Sequence, residues 1–221
     1  MLKEWIKSLQ RYIIKSFGVI SKDVNGKPFS RKSRVCYHLM FLILTGGVVF
    51  CLPRGLSGEF IDYIKDIFAI FVGFFVTVLC FVFDKLGVER ISTQEDLDNM
   101  PADKRGNYMN PLRIKQEHNY TIRFFYTLGL IILESTAVIF LLLPNIFWAD
   151  FFNQNVKEYV LIDSIEKLSW CSALLFGHLL LCVIYRMVII YLTIKVFYYT
   201  AYSVSSLLQV LIKKKNLELW N

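Results

Sequence analysis

The sharpest features are three ionisable residues deep in long apolar runs, Glu134, His178 and Arg186; the fourth run also carries Lys195. A charge there costs about 2.5–3.5 kcal/mol on insertion scales, so such side chains face protein or water rather than lipid. Counted from Ile122, Glu134 lies about 18 Å into its run, and His178 lies about 15 Å in from Leu168. Both depths fall near the middle of a hydrocarbon core about 30 Å thick. Arg186 follows His178 by about 12 Å along a helix. His178, Cys182 and Arg186 recur at four-residue steps and therefore share one helix face. The spacing predicts that Glu134 pairs with His178 or Arg186, within one subunit or between two. Such a pair gates a polar path, acts as a proton-sensitive latch, or pins helix register.

Other groupings carry less chemistry. Glu117 and His118 beside Lys115 read as solvated surface, because no pocket-building neighbours accompany them. Asp62 and Asp66, one turn apart around Lys65, read as an interfacial helix end rather than a hydrolase pair. The five cysteines, Cys36, Cys51, Cys80, Cys171 and Cys182, form no CxxC and no zinc spacing. Cys36 and His38 offer two ligands without a second pair. No Walker loop, HExxH, nucleophile elbow or Rossmann glycine set is present. The expectation is a non-enzyme, with no catalytic residue, metal or cofactor.

The elements that must position these residues follow from composition. Of 221 residues, 55% are hydrophobic and only 19% are charged. A soluble domain is about 45–50% apolar and about 25% charged. The excess sits in four runs. The first is Val35 to Pro53, and the second is Ile61 to Phe83. The third is Ile122 to Trp148, ended by Pro144 and Asn145. The fourth begins near Leu168 and stays apolar to Ile212, far beyond one membrane thickness. Lipid offers backbone groups no partners, so each run is expected to be helical. The fold class is all-α, an integral membrane bundle of four transmembrane helices.

The net charge of +7 is unevenly placed. The first segment carries Lys3, Lys7, Arg11, Lys15, Lys22, Lys27, Arg31, Lys32 and Arg34. The segment from Asp84 to Arg123 carries Lys85, Arg90, Lys104, Arg105, Arg113, Lys115 and Arg123, and the tail carries Lys213, Lys214 and Lys215. The connections after the first and third runs hold only Arg54 with Lys65, and Lys157 with Lys167. Cation-rich and cation-poor segments alternate, which places both termini and the central loop in the cytoplasm. Lys3, Lys7, Arg11, Lys15, Arg31, Lys32 and Arg34 are the expected membrane-surface contacts, against anionic lipid rather than nucleic acid.

Leu2, Trp5, Ile6, Leu9, Ile13, Phe17 and Ile20 recur at helical spacing, with the first four cations on another face. This is a basic amphipathic helix suited to the headgroup layer, with a mitochondrial presequence as the competing reading. The central loop holds a candidate capping box, Ser92-Thr93-Gln94-Glu95, and breakers at Asn99-Met100-Pro101. It is a linker or a docking surface for a soluble cytoplasmic partner. The fourth run either continues as a stalk or bends near Lys195. Gly46, Gly47, Gly73 and Gly177 are small residues that allow close helix approach. The layout is 1–34, a basic amphipathic interfacial segment; 35–83, transmembrane helices one and two; 84–121, a cytoplasmic loop; 122–195, helices three and four; and 196–221, a C-terminal helical extension.

In size, four-span layout and Phe/Ile/Lys-rich composition, as in KDIFAIFVGFFVTVLCFVFDK from Lys65 to Lys85, the chain resembles small multi-pass proteins beside prokaryotic antiviral systems. These include accessory membrane proteins of RNA-targeting CRISPR loci. The resemblance implies a defence effector in a prokaryotic inner membrane. Four helices enclose no wide pore alone, so a channel-like effector is expected to be a homo-oligomer. The alternatives are a regulatory or accessory protein that docks a soluble partner, and a small transporter.

Overall fold

The computed structural model describes residues 2–23, 26–85, 111–155 and 170–218. Six helices appear there: α1 (Leu2–Ile20), α2 (Arg31–Cys51), α3 (Gly58–Lys85), α4 (Pro111–Phe147), α5 (Ala149–Phe152) and α6 (Trp170–Glu218). The one β feature among the described residues is an isolated bridge, Lys22 to Pro28. Four helices contain stretches long and apolar enough to cross a membrane: Arg31–Cys51, Gly58–Cys80, Asn119–Phe147 and Leu174–Gln209. The chain is an all-α, four-span membrane bundle.

The third span, expected from Ile122, is the stretch Asn119–Phe147, and its helix α4 extends back to Pro111, into residues expected as loop. Proline is pre-organised for the first helical position. The residues after it include strong helix formers that hydropathy does not register. Of the two expected paths at Lys195, continuation or a bend, the helix takes the first: α6 runs unbroken for 49 residues. No proline interrupts that stretch, and its apolar character outlasts a bilayer. The capping box and the breakers at 99–101 lie outside the described residues.

The chain divides into two compact units. One gathers Met1–Ser30, Phe74–Ile131 and Tyr199–Asn221; the other gathers Arg31–Gly73 and Ile132–Tyr198. Helices α3, α4 and α6 give a segment to each.

In the first unit, α1 packs on α4 through one aromatic side chain. A Cβ on Gly129 would clash with the Tyr12 hydroxyl, so glycine leaves the notch that Tyr12 fills. The hydroxyl points at the carbonyls of Phe125 and Tyr126 at 3.4 and 3.5 Å. Burial raises the Tyr12 pKa above its ordinary value, which keeps the phenol a donor. Lys15 sits over the Tyr126 ring at 5.6 Å, a cation–π contact. The Tyr126 hydroxyl beside it raises the Lys15 pKa above the ordinary value. Arg123 is buried; its guanidinium donates to the Lys22 carbonyl and lies 5.9 Å from the Tyr202 ring. One cation thereby joins the end of α1, α4 and α6.

Gly129→Val is expected to expel Tyr12 and loosen α1. Overpacking of this kind costs about 1–3 kcal/mol. Trypsin cleavage after Arg11 in the detergent-solubilised full chain is expected to accelerate by about tenfold, the equivalent of about 1.4 kcal/mol. Cleavage at the wild-type rate would show that the notch does not hold the helix.

In the second unit, aromatic side chains tie α2 and α3 to α6. Tyr37, Phe41 and Tyr198 meet edge to face, with centroids 4.5–5.4 Å apart. Phe68 and Phe71 contact Phe197 at 6.0 and 5.9 Å. These spacings are favourable for aromatic pairs. Outward-facing residues such as Leu39, Ile43, Phe50 and Ile70 are exposed. In water that would be a liability; in a bilayer it is the lipid-facing surface.

The turn between α2 and α3 uses Gly55 at φ 101°, a backbone region that favours glycine. A Cβ there would lie 2.9 Å from the Asn153 Cα and 3.0 Å from Arg186 Nη2. Ser57 then starts α3, its hydroxyl accepting from the Phe60 N–H at 3.2 Å, as an N-cap does.

Candidate functional site

Glu134 pairs with Lys195, not with His178 or Arg186. The two side chains are 12% and 8% exposed. Within lipid, a lone carboxylate or ammonium is costly, and the pair cancels both charges. Glu134 Oε2 is buried and has no hydrogen-bond partner among the described residues. Tyr191 precedes Lys195 by one helical turn on α6. Its hydroxyl lies 3.2 Å from His38 Nδ1 on α2. The polar cluster therefore draws on α2, α4 and α6.

Arg186 makes a second centre. It is 1% exposed, and its hydrogen-bond partners among the described residues are backbone carbonyls. Nη1 donates to the Pro53 carbonyl at 3.2 Å, and Nη2 donates to those of Phe152 and Gln154 at 2.8 and 2.6 Å. Asn153, between those two acceptors, takes the Leu56 N–H on its Oδ1 at 3.1 Å. The guanidinium, with donors forked in one plane, is shaped to bind several oxygens at once. It clasps the α2–α3 turn to the segment after α4.

His178 does not reach the middle of the third span. Its Nε2 lies 2.8 Å from the Phe151 carbonyl, past the last residue of α4, and its ring lies 4.1 Å from that of Phe151. Cys182 donates to the same carbonyl at 3.3 Å. Seventeen residues separate His178 from Lys195, which is about 25 Å of helix. The shared face of His178, Cys182 and Arg186 is real, but it addresses α5, the residues just after it and, through Arg186, the α2–α3 turn, rather than Glu134.

One further contact lies beside Pro144. Proline removes the N–H that would donate to the Phe140 carbonyl one turn back. In that turn Tyr185 donates its hydroxyl to the neighbouring Leu141 carbonyl at 2.5 Å. Nearby, Asn145 is buried with both side-chain polar atoms unpartnered among the described residues.

Of the expected surface residues, Lys3, Lys7, Arg11, Lys15, Arg31, Lys32 and Arg34 are all exposed. Lys65 pairs with Asp62 at 2.7 Å on the exposed face of α3, as befits a helix end. Among the described residues, no three His, Cys, Asp or Glu side chains gather as metal ligands would. Sequence reasoning missed Lys195 as the partner of Glu134, and it missed Tyr191 and the Tyr12–Gly129 notch.

The fold and its buried charges define a four-span helical membrane protein with ionisable groups held inside the spans. No family model, no curated protein and no solved structure matches the chain.

Proposed function

We propose that the chain is a non-enzymatic, homo-oligomeric integral membrane protein that acts as a membrane effector or channel-like component in prokaryotic antiviral defence. It would reside in the inner membrane with both termini in the cytoplasm. The observation that carries this reading is the inward-turned polarity of the second unit. In addition to the Glu134–Lys195 pair, side-chain polar atoms of Thr45, Ser135, Asn145 and Thr193 in this unit are buried without partners among the described residues. Each such group costs about 1–3 kcal/mol if left dry. Water or a permeating ion supplies the missing partners, and rearrangement around Glu134 opens the path. The spans of α2 and α3 bury only 11% and 17% of their apolar windows, which leaves faces for neighbouring copies.

The second reading is an accessory protein that docks a soluble cytoplasmic partner. The exposed cations of α1 favour it. Purified protein in lipid vesicles separates the two. The effector reading expects a particle several times the monomer mass and a measurable ion flux. Glu134→Gln is expected to cut that flux by about tenfold, the effect of about 1.4 kcal/mol on a gating or permeation step. A monomeric particle and silent wild-type vesicles would overturn the effector reading and leave the docking one.

A further inference from the structure

His38 is exposed on a span whose other outward residues, such as Val35, Leu39, Leu42 and Ile43, are apolar. It stands in the stretch Arg31–Cys51, about 10 Å along the helix from Arg31. An ionisable side chain at such a place calls for a function and a partner. The partner is Tyr191 of α6, whose hydroxyl lies 3.2 Å from His38 Nδ1. Tyr191 is half-buried and stacks one turn before Lys195, where side chains are neighbours at about 5–6 Å. Lys195 holds Glu134 Oε1, while Glu134 Oε2 is buried with no hydrogen-bond partner among the described residues. An exposed base, a hydroxyl and a buried acid therefore run inward from α2 past α6 to α4, all within the second unit. Arg186 stands on the other side of Lys195, about 13 Å along α6 toward the α2–α3 turn. It is buried, and the carbonyls it holds carry no net charge to offset its own. A fixed guanidinium of this kind is a barrier to protons. The approach to Glu134 is open from the side where α2 begins and barred from the side of the turn.

We infer that Glu134 is a proton-uptake site, supplied from the side where α2 begins through His38 and Tyr191. A proton binds His38 Nε2. The Nδ1 proton passes to the Tyr191 oxygen as the Tyr191 hydroxyl proton passes to Glu134, directly or through one water. The imidazole ends neutral with its proton on Nε2, the phenol is restored, and Glu134 is an uncharged acid. One proton has entered and no other bond has changed. Lys195 then faces a neutral acid, so the attraction between α4 and α6 falls. The groups around this route are few. Tyr37 meets the His38 ring at 5.3 Å, and Tyr198 of α6 meets Tyr37 at 5.1 Å. Arg34 lies one turn before His38, and Lys195 faces Glu134. Of these residue types, histidine alone ordinarily changes charge between about pH 5 and 8. As the trigger of the rearrangement around Glu134, uptake rests on the effector reading above; the uptake itself needs no conduction.

The test follows the Glu134 carboxyl by infrared difference spectroscopy, on the full chain in phosphatidylcholine nanodiscs stepped from alkaline to acidic buffer. A protonated-carboxyl band is expected in the wild type and not in Glu134→Gln. Glu134→Asp, which keeps a carboxyl, identifies the same band by its shift if the glutamine variant does not fold. His38→Gln changes only the exposed surface. It is expected to slow the rise of the band at least about tenfold, the scale of a lost acid–base group, and to leave its final height unchanged. Tyr191→Phe is expected to act likewise. Imidazole added to the buffer is expected to restore the rate in His38→Gln but not in Tyr191→Phe, a rescue that a packing role for His38 would not show. In sealed vesicles with the chain inserted one way, acid on the side where α2 begins is expected to raise the band, and acid on the other side is not. Absence of any Glu134 band, a wild-type rise in His38→Gln, or a response from the Arg186 side would overturn the inference. The band forms whether or not ions flow. Silent vesicles with the band present therefore count against the effector reading alone, and flux without the band counts against the uptake site alone.

Discussion

Lys195→Leu is expected to be among the most damaging single substitutions in this chain. It leaves the Glu134 carboxylate inside the span with its cation gone. Breaking a buried pair from one side costs about 3–5 kcal/mol, because the abandoned charge has no compensation. The side chains are nearly enclosed, so solvent does little to screen the loss. The double substitution Glu134→Leu with Lys195→Leu is expected to recover most of that stability. Well-packed apolar replacements of buried pairs are often neutral or better. Unfolding of the purified protein in mixed detergent micelles measures both. A single variant as stable as wild type would show that Glu134 finds another partner. A double variant as weak as the single would show that the pair does more than cancel charge.

Arg186→Leu is the second large effect. It strips the carbonyls of Pro53, Phe152 and Gln154 of their shared donor at one stroke. Hydrogen bonds to charged groups contribute about 1.5–3 kcal/mol each and do not add fully, so a loss of about 3–5 kcal/mol is expected. Arg186→Lys keeps the charge but lacks the planar fork, and is expected to fall between. The local signature is tryptic cleavage after Arg54, in the turn that the guanidinium holds. Faster cleavage in Arg186→Leu, with Arg186→Lys intermediate, is the expected order. Unchanged cleavage in both would place the stability of the turn in Gly55 and Asn153 alone.

The spans were legible because bilayer thickness imposes a length that few other constraints imitate. Glu134 and Arg186 were legible for the same reason, since a charge stands out in an apolar run. Register was not. The helix from Trp170 to Glu218 is apolar over more than any bilayer needs, so hydropathy cannot choose which part lies opposite Glu134. Counting from Leu168 put His178 at mid-depth and left Lys195 at an edge. The partners decide instead: Lys195 answers Glu134, and Tyr185 answers the Leu141 carbonyl beside Pro144. The start of α4 was hidden by polar helix formers, which extend a helix without extending its hydrophobicity. The Tyr12–Gly129 notch was hidden because neither residue is unusual where it stands. A lone tyrosine on the inner face of an amphipathic helix was the available signal, and it pointed to no particular glycine.

The sequence separation of 61 between Glu134 and Lys195 also sets an order of events during biogenesis. At about 5–20 residues per second, the ribosome delivers the lysine about 3–12 s after the glutamate. The third hydrophobic segment therefore meets the translocation machinery carrying an acid whose neutralising base has not yet been synthesised. Its Leu and Ile content must tolerate that interval, or the segment must wait beside the exit channel until its sister arrives. A nascent chain truncated before Lys195 is thus the natural place to look for delayed integration.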